Sequence, residues 1–302
     1  MSGLKPGLRW RADSFAAAFP DRVKHGAGFV LAKNVRGEET MYATWMGGQD
    51  YQNKSKMYGA YPRGYLESAM SLFPDARRIL HLFSGSLTAG QVDEAWVQAN
   101  VHLSKLVDGL GGRRSRDLLM PIQIRFDSGL HPAARAAMPD VLGDAQDLAR
   151  SLNLALSPAA LHANFDLIFA DPPYRISDQR KYWKESMAGL VCAHCLRGLE
   201  HHKAHYQKST RAGVLLCASG AEAQSIFPQA TPGQYARFKP LNKKLVIQQA
   251  AEVLSPGGYL VWLDEIRPPY DNVRWSFRGG MALLRSTGHR VRYATLLERR
   301  AS

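Results

Sequence analysis

The residues Asp171-Pro172-Pro173-Tyr174 place a carboxylate, a rigid turn and an aromatic ring side by side. Pro173 fixes its own φ and restricts Pro172, so a stiff turn directs the Asp171 carboxylate and the Pro172 carbonyl into one space. These two acceptors can hold both hydrogens of a planar –NH₂ group, while Tyr174 offers a face to the ring that carries it. Such a nitrogen is a poor nucleophile, and acceptors that offset its developing positive charge assist its attack. The pattern predicts transfer to a planar amine; a strand-end turn with a packed tyrosine is the plainer alternative.

The segment before this turn, residues 165–170, is a short apolar run of the kind that forms a buried strand. Further strands are predicted at residues 79–83, 122–126, 141–142 and 259–263, and helices at 91–110, 131–138 and 241–254. Alternating strands and helices predict a doubly wound, mostly parallel, Rossmann-like α/β sheet that is covered on both faces. Because ligands bind at the carboxyl ends of such strands, we expect the residues that follow each strand to form the site.

Three of these strand ends carry candidate cofactor residues. The glycine-containing turn at residues 84–86 would let the backbone approach a ligand closely, or would be a tight turn and nothing more. Asp127 could accept hydrogen bonds from the two hydroxyls of a ribose, or be a solvated loop residue or a helix cap. Asp144 could accept from an adenine amino group, or cap the helix that begins near Ala145.

Together these features resemble the class I S-adenosylmethionine-dependent methyltransferases, in particular the DNA amino-methyltransferases, whose catalytic motif is Asp/Asn-Pro-Pro-aromatic. The similarity covers roughly residues 58–297, with residues 80–86 matching the cofactor loop and 254–260 a turn before a later strand. Residues 61–66 lie where a further cofactor-contacting segment usually occurs in the family. Two positions, His81 and Leu87, depart from the family, which usually has an acidic residue and often a second glycine there.

The resemblance implies a seven-stranded type of methyltransferase sheet, S-adenosylmethionine as cofactor and the following site residues. The target amine would be handled by Asp171, Pro172, Pro173 and Tyr174. The cofactor would be bound by His81, Phe83, Ser84, Gly85, Ser86, Asp127, Asp144 and Ala145.

The domain organisation follows from the same comparison. Residues 1–57, in which glycines break any long periodicity, are expected to be an irregular or short-stranded N-terminal extension. Residues 58–302 would be the methyltransferase domain, with an insertion at about 175–240 for target recognition and a predicted helix at 183–206. Residues 281–284 and 291–297 are predicted to close the sheet as a hairpin.

The net charge of +13 predicts a polyanionic partner, most simply nucleic acid. Basic residues beside the catalytic turn are the preferred phosphate contacts, namely Arg175, Arg180, Lys181 and Lys184. Other basic clusters are Arg113, Arg114 and Arg116 and, near the C-terminus, Arg285, His289, Arg290 and Arg292, and each could instead be a solvated face.

Cysteine usage and hydropathy predict a cytosolic protein without a membrane span. The three cysteines suit a reducing compartment, and no apolar run is long enough for a transmembrane helix. Cys192 and Cys195, followed by His201, His202 and His205, have the residue types of a zinc site, but they fall in one predicted helix at an unsuitable spacing. We therefore expect no metal.

These observations predict methylation of the exocyclic amine of adenine in DNA, reached by flipping the base out of the duplex. An adenine or guanine amine in RNA is the first alternative. A protein glutamine presents the same planar amide nitrogen, but the basic charge argues against it. The last alternative is a non-catalytic nucleic-acid-binding relative, for which the departures at His81 and Leu87 are the only support.

Overall fold

A computed structural model describes residues 10–24, 28–46, 61–62, 64–100, 120–128, 134, 136–156, 164–173, 175–180, 240–284 and 291–301. The strands are β1 (Phe29–Lys33), β2 (Glu39–Met46), β3 (Arg78–Leu82), β4 (Ile122–Asp127), β5 (Val141–Leu142), β6 (Phe165–Ala170), β7 (Leu254–Asp264), β8 (Trp275–Leu284) and β9 (Arg292–Arg299). The helices are α1 (Ala12–Ala18), α2 (Pro20–Lys24), α3 (Tyr65–Met70), α4 (Ala89–Ala99), α5 (Leu148–Ala155) and α6 (Lys243–Val253). A 3₁₀ helix (Ala145–Asp147) precedes α5, and residues 176–180 are also helical.

The described strands form one sheet in the order β1-β2-β8-β9-β7-β6-β3-β4-β5. β9 is antiparallel to both of its neighbours and β1 is antiparallel to β2, whereas the other neighbouring pairs are parallel. The predicted doubly wound, mostly parallel α/β sheet is therefore confirmed, as is the predicted hairpin, which β8 and β9 form.

Alternation along the strands divides the core between the two faces of the sheet. Ile79 of β3 packs with α3 and α4 on one face, whereas Leu80 and Leu82 pack with α5 and α6 on the other. Since side chains of a strand alternate between its two faces, each strand contributes to both cores. This arrangement leaves the strand ends as the places where polar side chains can gather.

Residues 1–57 were expected to be irregular or short-stranded, and their described part contains the two strands β1 and β2, which extend the central sheet because β2 pairs with β8. Glu38, in the turn between them, accepts a hydrogen bond from the Ser276 hydroxyl at 2.6 Å and pairs with Arg300 at 3.2 Å. The bond from Ser276, with smaller contributions from Asn34 and the nearby arginines, lowers the pKa of Glu38 to about 2. The carboxylate therefore joins the β1–β2 turn to β8.

Helix boundaries differ from the predictions in instructive ways. α4 begins at Ala89, directly after Thr88, whose side chain forms a capping box with Gln91, and it ends at Ala99. The sequence places Leu241, Leu245, Val246, Val253 and Leu254 on one face of the helix predicted at 241–254. Val246 and Leu254 are buried, Leu254 as the first residue of β7, whereas the other buried residues of α6 are Ile247, Ala250 and Ala251. The small alanines permit the helix to pack closely on the sheet. A hydrophobicity pattern gives alanine less weight than leucine, so it does not indicate this face.

Several predictions lie outside the described residues. These are the helix at 183–206, the cysteines and histidines considered for zinc, and the end of the helix predicted to reach residue 110. Of the helix predicted at 131–138, Ala134 and Ala136 are helical. The extension and insertion boundaries stay predictions. Among the described helices, none is long and apolar enough to cross a membrane.

Gly279 provides a test of the junction between β2 and β8. Its φ is +150°, and a Cβ added there would lie 2.0 Å from the carbonyl oxygen of Met41 in β2. We expect Gly279→Ala to reduce the free energy of unfolding by about 3 kcal/mol or more, because backbone must shift.

The neighbouring Gly280→Ala is the matched control, because its Cβ would come no closer than 3.9 Å to other atoms. It should change the unfolding free energy by less than about 1 kcal/mol in urea titrations. Equal losses from the two substitutions would contradict the close approach at Gly279.

Candidate active site at the strand reversal

The strand order reverses between β3 and β6. From β3 the chain proceeds outward to β4 and β5, and then returns to the other side of β3 to form β6 and β7. β3 and β6 are paired over Ile79↔Leu167 through Leu82↔Ala170, so the segments that follow them leave the sheet side by side. A crevice at such a reversal is the expected ligand site of a doubly wound sheet. The predicted cofactor loop and the Asp171 turn both lie there.

The loop after β3 has a strained backbone that β4 holds in place. Phe83 and Gly85 have φ values of 59° and 57°, and the first is unusual for a residue with a side chain. The Ser84 N–H donates to the Phe126 carbonyl at 3.1 Å, and the Gly85 N–H donates to the Asp127 carboxylate at 2.9 Å. The Gly85 conformation thus depends directly on Asp127, although the two residues are remote in sequence.

Asp127 is buried and closes β4 against this loop. Besides the Gly85 N–H, its carboxylate accepts a hydrogen bond from the Ser128 hydroxyl at 3.4 Å. Its main-chain carbonyl accepts from the Gly143 N–H at 3.0 Å, which ties the end of β4 to the end of β5. The structure therefore brings Asp127 to the predicted place, and the ribose contact stays a prediction.

Asp144 and Ala145 follow β5 at the same edge. The Asp144 carboxylate accepts from the Gln146 N–H at 2.8 Å and caps the 3₁₀ helix, which was the alternative role considered for it. Its side chain is exposed, whereas Ala145 is buried in the core beside α5 and α6. A contact with an adenine amino group stays a prediction for Asp144.

His81 lies within β3, before the loop, and has no exposed surface. Its Nε2 lies 3.0 Å from Gln123 Oε1, and its ring stacks on Phe169 with centroids 5.7 Å apart. Burial lowers the pKa of His81 from 6.5 to about 4, so the ring is neutral at physiological pH. Packing in the sheet accounts for His81, and a cofactor contact for it stays a prediction.

The Asp171 turn is connected through Gln179 to Leu241, which precedes α6. Asp171 and Pro172 are buried, and Tyr174 lies outside the described residues. Gln179, itself buried, donates to the Pro173 carbonyl at 3.4 Å and accepts from the Leu241 N–H at 2.8 Å. Gln179 thus connects the turn to the segment leading into α6, a role that no sequence motif signals.

The predicted phosphate contacts are only partly described. Arg175 donates through Nε and Nη2 to Glu265 Oε2, both at 2.8 Å, and about half of its side chain is exposed. Arg180 is exposed, whereas Lys181 and Lys184 lie outside the described residues. The Arg175–Glu265 pair lies at the rim of the site, because Glu265 directly follows β7.

A buried ion pair lies beside the Asp171 turn, at the end of β7. Asp264 has no exposed surface and accepts hydrogen bonds from Lys243 at 2.5 Å, from the Trp262 indole at 3.2 Å and from the Glu265 N–H at 2.7 Å. Trp262 also packs edge-on against Phe83 of the loop after β3, with ring centroids 6.4 Å apart. These contacts hold Asp264 and Trp262 in fixed positions on the β7 side of the crevice.

Tyr61 and Tyr65 complete the site on the face that carries α3. Their rings stack with centroids 5.5 Å apart, and the Asp171 charge acts on both hydroxyls. Burial, reinforced by the Asp171 carboxylate, raises the pKa of both tyrosines well above 10, so both hydroxyls remain hydrogen-bond donors. Within the described part of the chain neither hydroxyl has a hydrogen-bond partner.

The unpartnered hydroxyls test whether a polar cofactor suits this site. The Ser84 hydroxyl, at the end of β3, is also buried and has no hydrogen-bond partner among the described residues. Buried polar atoms are nearly always hydrogen-bonded, and these three lie on segments that border the reversal. A ligand rich in hydroxyl, amino and carboxylate groups would satisfy them, so the residues present fit such a cofactor. Among the described residues no group of side chains is suited to hold a metal ion.

Comparison with known proteins gives a distant structural likeness. No family model and no curated protein matches the chain. Among solved structures, the chain is similar to the crystal structure of TrmN from Thermus thermophilus, with 15% sequence identity and a TM-score of 0.36. The match covers 81% of this chain and 51% of TrmN, so the chain spans about half the length of that protein.

The buried neutral state of His81 predicts a pH-dependent stability. Below pH 6.5 the unfolded chain takes up a proton at this residue, whereas the folded chain does not until about pH 4. Stability should therefore fall as the pH decreases from 6.5 to 4, by about 3 kcal/mol from this residue. The measurement is the free energy of unfolding across this range for the wild type and for His81→Gln. If the two profiles are parallel, His81 is not the buried neutral group described here.

Proposed function

We propose that the chain is an S-adenosylmethionine-dependent methyltransferase that methylates the exocyclic amine of adenine in nucleic acid, with DNA as the favoured substrate. The observation that carries the proposal is the position of the Asp171-Pro172-Pro173 turn at the strand reversal, next to the loop of residues 83–86. A turn with two fixed acceptors lies beside a backbone loop suited to a cofactor. This arrangement supports the transfer of a group from a cofactor to a second ligand better than it supports the binding of a single ligand.

The cofactor would lie along the ends of β3, β4 and β5. Asp127 and Asp144 are the acceptors for its hydroxyl and amino groups, and residues 83–86 provide backbone and the Ser84 hydroxyl. When bound, S-adenosylmethionine supplies an activated methyl group that the amine nitrogen takes from the sulfonium sulfur. Tyr61 and Tyr65, which remain protonated, can donate to a carboxylate or to another acceptor at the same place.

Asp171 and Pro172 would orient the acceptor amine. Asp171 accepts one amine hydrogen and the Pro172 carbonyl accepts the other, which leaves the nitrogen lone pair directed at the methyl group. Because Asp171 is 3% exposed, its charge acts through a medium of low polarity and stabilises the cationic nitrogen more than it would in water. The transfer would leave the donor as the neutral thioether, S-adenosylhomocysteine, and the methylated nitrogen would then release one proton to solvent. No general base with a shifted pKa is required before that step.

Nucleic acid is proposed as the substrate because of the net charge of +13 and the arginines at the rim of the site. Arg175 and Arg180 follow the catalytic turn, so phosphates that flank a flipped base would lie near them. These features favour a nucleic acid over a protein glutamine. The choice of DNA over RNA rests on the motif resemblance.

Asp171→Ala tests the catalytic assignment. We expect methyl transfer to fall at least about 100-fold, because one acceptor for the amine is lost. Cofactor affinity, measured by titration calorimetry with S-adenosylhomocysteine, should change only a few-fold. Asp178→Ala, on the helical residues 176–180 that follow the same turn, is the matched control and should retain activity. Full activity in Asp171→Ala would mean that the site lies elsewhere.

The substrate is tested with tritiated S-adenosylmethionine and, separately, duplex DNA, single-stranded DNA and RNA. We expect label in N6-methyldeoxyadenosine after digestion of the DNA. Label confined to methyladenosine from RNA would reject the DNA assignment and retain the amine chemistry. A chain that binds no cofactor in calorimetry would be the non-catalytic relative instead.

A further inference from the structure

One face of β4 presents three polar residues in a row, Gln123, Arg125 and Asp127. Ile124 and Phe126 occupy the opposite face and pack into the core beside α5 and α6. Gln123 contacts His81 of β3 and donates to Asp93 of α4 at 3.1 Å, and Asp127 holds the Gly85 N–H. A strand face covered by a helix normally carries apolar residues, so three polar residues there require a reason.

Arg125 lies in the middle of this row, and its contacts are the most extensive. Its side chain is 6% exposed, and the guanidinium nitrogens make five hydrogen bonds, which matches the number of N–H groups in the side chain. Two of these bonds go to the Asp140 carboxylate, at 2.8 and 3.1 Å. The other three go to the main-chain carbonyls of Leu87, Ala137 and Met138, at 3.1, 2.9 and 2.8 Å.

The three carbonyls belong to two separate segments. Leu87 ends the loop after β3, whose middle residue Gly85 is held by Asp127. Ala137 and Met138 belong to the segment that leads through Asp140 into β5, and hence to Asp144. Arg125 therefore connects the two halves of the proposed cofactor site by hydrogen bonds, as Asp127 does nearer the strand end through Gly85 and Gly143.

The backbone at Met138 shows that this connection imposes a conformation. Met138 has φ of 50°, a left-handed value that costs energy for a residue with a side chain. Its side chain is 77% exposed, so packing does not hold the backbone there. The hydrogen bond from Arg125 to its carbonyl and the adjacent bond to Asp140 restrain this segment on both sides of the residue that follows Met138.

We propose that Arg125 is a positioning residue for cofactor binding, which sets the separation between the loop of residues 83–87 and the segment of residues 137–145. The inference rests on the proposed function, because it takes these two segments as the two sides of the cofactor site. Lysine cannot replace arginine fully, since its three N–H groups cannot serve the carboxylate and three carbonyls in the same geometry.

The test measures cofactor affinity in variants of the full chain. Arg125→Met should weaken binding of S-adenosylhomocysteine at least about tenfold in calorimetry, because both segments lose their common anchor. Arg125→Lys should recover part of this loss. Asp140→Asn, a milder change that retains the arginine, should weaken binding by a smaller factor and guards against misfolding of Arg125→Met.

Kinetics separate positioning from general destabilisation. In the milder variants, KM for the cofactor should rise while kcat and the affinity for nucleic acid stay within about twofold of the wild type. Arg278→Met is the matched control, because Arg278 forms a partly buried pair with Glu298 in the β8–β9 hairpin, away from the cofactor loop. It should lower the melting temperature without changing KM for the cofactor.

Two results would overturn parts of this argument separately. If the wild type binds the cofactor and Arg125→Lys and Asp140→Asn bind it equally well, the positioning role is wrong and the proposed function stands. If the wild type does not bind S-adenosylmethionine or S-adenosylhomocysteine, the proposed function itself fails.

Discussion

The parallel pairing of β3 with β6 brings the two segments of the candidate site together. These strands are separated in sequence by β4 and β5, yet they are hydrogen-bonded from Ile79↔Leu167 to Leu82↔Ala170. The chain must therefore leave the sheet in opposite lateral directions after the two strands, and a crevice opens between the departing segments. The loop at residues 83–86 and the turn at 171–173 are neighbours because of this pairing, although they are far apart in sequence.

Around the crevice, rigidity comes from buried polar contacts rather than from apolar packing. Asp127 holds Gly85, Gln179 holds the Pro173 carbonyl, and Asp264 receives Lys243 and the Trp262 indole. The Asp127–Gly85 and Lys243–Asp264 contacts join segments that are distant in sequence, as does the bond from the Leu241 N–H to Gln179, so these contacts are costly to break once water is excluded. A turn with two prolines needs this support, since prolines fix its shape but not its orientation relative to the sheet.

The parts that local sequence could predict are those whose cause is local. Apolar runs correctly predicted β3, β4 and β6, because a buried strand needs little more than hydrophobic residues. The residues that follow these strands lie at the expected edge of the sheet, the carboxyl ends of the parallel strands. The pairing of β2 with β8 was missed, because a parallel contact between distant segments leaves no local periodicity. Arg125 was missed for a similar reason: in sequence it is one polar residue in an alternating strand, and its five hydrogen bonds go to residues 87 and 137–140, which only the folded chain brings around it.

The nucleic-acid binding proposed above requires the arginines of the rim to be available to phosphates, and the ion pair of Arg175 is compatible with this. Arg175 is bound to Glu265, so its guanidinium must leave a carboxylate before it can bind a phosphate. Its side chain is 48% exposed, and a pair with that much exposure contributes only about 0 to 1 kcal/mol. A phosphate offers an acceptor of equal or greater charge, so the exchange costs little, and releasing the counterions of the nucleic acid favours it further. The same exchange would cost several kcal/mol at the buried pair of Lys243 with Asp264, which is therefore part of the scaffold rather than of the proposed substrate surface.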